Sequence, residues 1–237
     1  MNGVIHRADS RGLADHGWLR SRHTFSFAGY YNPQRMGFGK LRVLNDDIVA
    51  PGGGFGTHPH DNMEIVSVPL AGALQHKDSM GNVHVIRHGE VQIMSAGTGI
   101  AHSEYNDSKT DPVNFLQIWV IPKARDIAPR YGQRAFDPSD RQNRFQTVVS
   151  PEKDGDAIWI NQDANFALGD FTAGTSGRYT IRNGGNGAYL FVIDGEITLD
   201  DETLGPRDAI GIADAKEISF KAGKDSQLLV IDVPMNE

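Results

Sequence analysis

The sequence predicts an all-β chain of two similar antiparallel β-barrels, and three observations carry that expectation. Glycine (27 residues) and proline (11) punctuate short runs rich in Val, Ile, Phe and Leu at strand spacing. No run keeps a helical period beyond two turns, so long amphipathic helices are not expected. The two halves also resemble each other: Val68-Pro69-Leu70-Ala71-Gly72-Ala73-Leu74 parallels Phe191-Val192-Ile193-Asp194-Gly195-Glu196-Ile197, a strand, a glycine turn and a second strand in each case. Strands that cannot each bury a face alone, repeated in this way, imply two stacked copies of one β architecture.

Taken in order, the apolar runs of the first half place strands at 41–44, 63–70, 73–77, 83–86, 91–95 and 115–121. The Ala71-Gly72 turn joins the second to the third, and His88-Gly89-Glu90 leads into the fifth. The segment 122–145, rich in Pro, Arg, Asp and Gln, reads as an irregular connector. The second series runs 157–161, 166–172, 188–193, 196–199, 209–212, 217–221 and 227–233. Its Pro206-Arg207-Asp208 turn and its last strand answer those of the first half. The expected partition is a barrel over 1–122, a connector over 123–145 and a second barrel over 146–237.

With 237 residues, 39% hydrophobic and 22% charged, the chain has the composition of neither a disordered nor a membrane protein. A net charge of −7 without any basic cluster argues against direct nucleic-acid binding. The opening residues lack a signal-peptide apolar core, and no segment reaches transmembrane length. Zero cysteines exclude disulfides and thiolate chemistry. A cytoplasmic protein without membrane contact is expected, and a monomer, because paired barrels already cover each other.

The chemistry concentrates in two segments, Gly56-Thr57-His58-Pro59-His60 and Gly97-Thr98-Gly99-Ile100-Ala101-His102-Ser103-Glu104. Both read as extended, and residues i and i+2 of a strand point to one face. His58 projects with His60, and His102 with Glu104. If the strands face one interior, three imidazoles and a carboxylate converge as metal ligands, a set that suits iron, manganese, nickel, copper or zinc. A zinc ion could close these donors into a tetrahedral structural site, whereas an octahedral ion would keep open positions for water, dioxygen or substrate.

Spacing leaves the carboxylate open, since Glu64 follows His60 by four residues. His6, His16, His76, His84 and His88 lack such a frame and are expected at surfaces or turns. His23 stands beside Phe25 and Phe27, as core packing or as a group closing a pocket mouth. Gly97 and Gly99 resemble a phosphate loop without its lysine, and tight turning before His102 is the better reading. Asn45-Asp46-Asp47 is expected as a turn ending a strand, with a hydrogen bond to a ligating imidazole as the alternative. Phe25, Phe27, Phe55, Met94 and Trp119 are candidate walls of the site.

These residues resemble a bicupin, and more narrowly the pirin family. The first cupin motif, G(x)5HxH(x)3E, matches Gly52, His58, His60 and Glu64; the second matches Gly97 through His102 to Asn106, with glycine where many cupins have proline. His23-Thr24-Phe25-Ser26-Phe27, Phe55 through His60 and Met94 through Glu104 carry the narrower resemblance. It implies two jelly-roll barrels, the second degenerate and without ligands. It also implies one divalent metal, iron(II) first and Zn, Mn, Ni, Cu or Co as alternatives, on His58, His60, His102 and Glu104. Glu64 is then a supporting or surface group. The implied activity is a dioxygenase that opens flavonols such as quercetin with dioxygen and releases carbon monoxide, Glu104 accepting or relaying the proton. A regulatory protein acting through protein partners, and a metal-dependent isomerase or hydrolase, are the alternatives.

Overall fold

The computed structural model describes residues 3–153 and 155–236; Met1, Asn2, Asp154 and Glu237 of the expected barrels lie outside the described residues. Strands form where β-branched and aromatic residues alternate between turn residues. Those of the first half are β1 (Gly3–His6), β2 (Gly12–Asp15), β3 (Leu19–His23), β4 (Leu41–Val49), β5 (Gly54–His60), β6 (Glu64–Ala71), β7 (Ala73–Asp78), β8 (Val83–Arg87), β9 (Glu90–Ser95), β10 (Ile100–Asn106), β11 (Val113–Val120) and β12 (Arg130–Ala135). Those of the second are β13 (Phe145–Ser150), β14 (Ile158–Trp159), β15 (Asn165–Phe171), β16 (Ser176–Thr180), β17 (Asn186–Asp194), β18 (Ile197–Leu199), β19 (Glu202–Leu204), β20 (Ala209–Ile212), β21 (Glu217–Ala222) and β22 (Ser226–Pro234). Among the described residues there is no α-helix, and so none long and apolar enough to cross a membrane.

Each half is a jelly-roll sandwich of one seven-stranded and one four-stranded sheet rather than a closed barrel. The first pairs the order β12-β9-β6-β11-β4-β3-β2 with β5-β10-β7-β8; the second pairs β1-β20-β17-β22-β15-β13-β14 with β16-β21-β18-β19. The two large sheets pack against each other. Alternation sends Leu116, Ile118 and Val120 of β11 to that contact, where they share one core with Phe166, Leu168, Phe191, Leu229 and Ile231. Sequence reasoning takes 115–121 as one apolar run, and its second buried face is the reason.

The two interiors differ. The second is mostly apolar, filled by Leu190, Val192, Ile218, Leu228 and Val230 among others, with buried Asp232 held by Tyr179 and Asn186. In the first, two small apolar clusters, around Phe115 and around Met94, are parted by a polar belt. Gln92, Ser67, Gln117, Asn45 and His23 stand opposite one another across five strands, and all are buried. Buried polar side chains cost stability unless satisfied, so a belt of them marks the half that has been given a task.

Several expectations are corrected here. Asn45-Asp46-Asp47 is not a turn: β4 runs straight through it, with Asn45 and Asp47 facing the polar belt and their Oδ1 atoms left without a hydrogen-bond partner. The connector 123–145 is not wholly irregular, since Arg130–Ala135 forms an edge strand on β9. Its residues alternate without the β-branched signal that marks a strand. Residues 3–6 leave the first half altogether, and Ile5 pairs with Ile210 on the exposed edge of β20. Covering an edge in this way removes a template for aggregation.

Candidate metal centre

Strand β10 lies between β5 and β7 in the small sheet of the first half. Its register sets His102 opposite His58 on one side and opposite Asp78 on the other. A bulge between His102 and Glu104 shifts Glu104 opposite Phe55, while on β7 it faces His76. Bulges re-aim side chains beside functional sites. The i, i+2 rule holds on all three strands, so the HxH, HxE and HxD patterns send their side chains into the same interior.

The imidazoles of His58, His60 and His102 form a triangle with ring centroids 4.8, 4.5 and 4.9 Å apart, and one nitrogen from each lies within 4.8 Å of the others. His60 Nε2 and His102 Nε2 face each other at 3.1 Å. His58 Nδ1 donates to the Gly56 carbonyl at 2.8 Å, which leaves its Nε2 as the free donor. Burial, with His58 beside it, lowers His60 to about 4; burial and the neighbouring imidazoles lower His102 to about 2. Both rings are therefore neutral at physiological pH, as metal ligands must be.

Glu104 is buried on the same interior side, yet it does not join that triangle; its carboxylate groups with His76 and His102 within 4.8 Å. Gln117 Nε2 donates to its Oε2 at 2.7 Å, and Ser67 Oγ lies 3.3 Å from its Oε1. Burial, then the charge of Asp47, pushes Glu104 up to about 7. Glu64 lies elsewhere: it accepts from Ser95 Oγ at 2.8 Å and from the Asn161 N–H at 3.2 Å, tying the two halves together.

Two histidines depart from their expected surface roles. His6 is buried against Tyr189, whose hydroxyl lies 2.7 Å from Nδ1. His76 is fully buried, its Nε2 3.1 Å from Asp78 Oδ2 and its Nδ1 3.5 Å from His102 Nδ1. Burial lowers His76 despite the pull of Asp78. The Asp78 carboxyl is pushed up by burial, but hydrogen bonds from Asn82 and His76 outweigh that and hold it below the usual range. The missed signal is His76-Lys77-Asp78, an i, i+2 pair like the one at His58 and His60. His16, His84 and His88 are exposed as expected.

Trp119 packs edge-on to His60 at 5.0 Å, and Phe27 edge-on to Trp119 at 5.2 Å. His23 is buried and closes that file of rings, 5.3 Å from Phe27. Phe55 lies 6.5 Å from His58. Phe25 is no wall residue: it points into the core between the halves, against His6 and Tyr189. The open polar groove lined by Lys40, Lys123, Asp163 and Asn183, about 670 Å³ in volume, contains no imidazole.

Gly97 and Gly99 have φ of +48° and +135°, and a Cβ on Gly97 would run into the Ile127 carbonyl oxygen. Thr98 N–H donates to that same oxygen at 3.0 Å. Gly97→Ala is expected to destabilise the protein by about 2–4 kcal/mol, from left-handed strain plus overpacking, read as a lower urea midpoint with an unchanged slope.

A double jelly-roll with a histidine-rich face in one copy and an apolar interior in the other defines a bicupin with a single candidate metal centre. The Pirin family model matches residues 5–120, and a model described as a quercetinase C-terminal cupin domain matches 147–233. The chain belongs to the pirin family. It is 42% identical over 230 residues to a protein of Escherichia coli (strain K12) named quercetin 2,3-dioxygenase, covering 97% of this chain and 98% of that one. A pirin-like protein of Caulobacter vibrioides is 40% identical, covering 94% and 96%. The structure of YhhW from Escherichia coli superposes with a TM-score of 0.94 at 41% identity, covering 100% of this chain and 99% of that one. A structure described as bacterial pirin YhhW in complex with nickel(II) gives 0.92 at 41%, covering 98% and 99%.

Proposed function

We propose that this protein is a metal-dependent dioxygenase that opens the ring of flavonols such as quercetin with dioxygen, with one divalent ion, iron(II), held by His58, His60, His102 and Glu104. The observation that carries the reading is the pair of neutral imidazoles, His60 half-buried and His102 buried, whose Nε2 atoms face each other at 3.1 Å. A cation shared by those two nitrogens would have the third imidazole within reach. Nitrogen and oxygen donors of this kind fit a borderline first-row ion. Similarity along nearly the whole chain to a relative named quercetin 2,3-dioxygenase supports the substrate class. Bound there, such an ion supplies Lewis acidity that lowers the pKa of a flavonol hydroxyl.

The chain's own residues supply the rest. Glu104 is the group that takes the hydroxyl proton, on Oε1, where Ser67 Oγ lies 3.3 Å away. Gln117 holds the other oxygen at 2.7 Å and fixes the carboxyl plane. Trp119 and Phe27 offer flat apolar faces beside His60, suited to an aromatic substrate and to excluding water. The Trp119 indole N–H is buried and has no hydrogen-bond partner among the described residues.

The test is dioxygen uptake on adding quercetin to iron(II)-loaded protein, alongside His58→Ala. Uptake that matches ring-opened product and vanishes in the variant is the expected result. A fully metallated wild type that takes up no dioxygen overturns the reading.

A further inference from the structure

We infer that Asp78 and His76 are positioning residues, a buried relay that fixes the tautomer of His102 and so keeps its Nε2 as an unprotonated metal donor. The inference rests on the ligand set proposed above. Its starting point is that Asp78 can only accept. Oδ1 takes the backbone N–H groups of Met80 at 2.9 Å and Asn82 at 3.0 Å, and Oδ2 takes the Asn82 side-chain amide at 2.8 Å.

His76 Nε2, 3.1 Å from Oδ2, must therefore carry its proton. A neutral His76 then has a lone pair on Nδ1, and that atom faces His102 Nδ1 at 3.5 Å. His102 must place its proton on Nδ1, and its Nε2, turned to His60, is left as a lone pair. Each assignment forces the next.

The fold supplies this order from a single register. β7 offers His76 and Asp78 on one face, and β10 answers with Glu104 opposite His76 and His102 opposite Asp78. Both relay side chains are fully buried. Tyr131 covers His76 at 4.8 Å between ring centroids, and His84 stacks on Tyr131 at 5.0 Å, shielding the relay from solvent. Glu104 is the other charged group close to His76, and Gln117 and Ser67 hold its two oxygens.

Asp78→Asn tests the direction of the relay. The two backbone N–H groups keep the carbonyl oxygen of the new amide at the Oδ1 place, which sets its NH2 against His76 Nε2. The chain of protons then reverses, and His102 carries its proton on Nε2. Nickel(II) affinity, measured by calorimetry, is expected to fall about 10–100-fold, the usual loss when the partner of a metal-ligating imidazole is changed. The melting temperature without metal should stay within a few degrees of wild type. His76→Gln keeps the order, since its Oε1 can accept from His102 and its Nε2 can donate to Asp78; its affinity is expected within about threefold of wild type. In the metal-free protein, the ring 15N shifts of His102 should report an unprotonated Nε2 in wild type and His76→Gln, and a protonated Nε2 in Asp78→Asn.

Wild-type affinity and an unchanged metal-free His102 tautomer in Asp78→Asn would overturn the relay. So would two bound nickel ions per chain falling to one in His76→Gln, which would make His76 a ligand. Both readouts are independent of turnover. Tight binding without quercetin oxidation would sink the dioxygenase and leave the relay standing, whereas unaltered nickel binding in His102→Ala would remove the ligand set on which it rests.

Discussion

With His60 or His102 replaced by alanine, the protein is expected to lose its metal and, with it, all metal-dependent turnover. Changing an indirect partner of a ligating imidazole costs about 10–100-fold in affinity, so removing a direct donor should cost at least about a hundredfold. The loss should not come from unfolding. Both side chains are neutral, and burial holds their pKa values to about 4 and about 2. Such rings lower stability below the ordinary 6.5, where the unfolded chain is protonated; the penalty grows as pH falls and is complete below the folded values. Alanine at His60 should therefore relieve an acid-side penalty and leave metal-free stability above pH 7 little changed, whereas at His102 it also leaves His76 Nδ1 without its partner, at a cost of about 1–3 kcal/mol. Metal content after dialysis and dioxygen uptake are the readouts. His16→Ala, at an exposed imidazole, should retain both.

The second large effect has the opposite sign. Glu104→Gln is expected to abolish metal-dependent activity and to make the metal-free protein more stable at pH 8. Burial raises the Glu104 carboxyl from 4.5 to about 7 in the folded chain. Folded protein therefore binds the extra proton between those values, and stability falls as pH rises across that window. The penalty is absent below 4.5 and complete above about 7; at 1.36 kcal/mol per unit it amounts to about 3 kcal/mol. The amide escapes it without orphaning a neighbour. Its oxygen can accept from Gln117 Nε2, and its NH2 can donate to Ser67 Oγ, whose own proton goes to Gln117 Oε1 at 3.0 Å. Urea unfolding of both metal-free proteins at pH 4 and pH 8 checks this. The curves should nearly coincide at pH 4 and separate at pH 8. Equal stability at pH 8 would mean that Glu104 is not strained by its site.

Much of this arrangement is legible in the chain itself. Both jelly-rolls follow from short apolar runs and from a repeat that survives in the turns. His58, His60 and His102 reach one interior because alternation within a strand is a local rule. What stayed hidden depends on neighbours. Asn45 and Asp47 look like turn residues because polar clusters mark turns when water lies beyond them, whereas here they face a buried polar belt. His76 and Asp78 carry no glycine frame, and their importance comes from a pairing with β10 that no local pattern encodes. The edge strand Arg130–Ala135 has the composition of a loop and is a strand because β9 offers it a partner.

The pairing of Ile5 with Ile210 also bears on how the molecule comes into being. The first described strand finds its partner 205 positions later (210 − 5), so it travels unpaired until β20 has been made. Loop closure over such a separation is slow, so the fastening of β1 onto β20 is expected to be a late event of folding. The first half completes its large sheet alone, whereas the second takes β1 from the other end of the described chain.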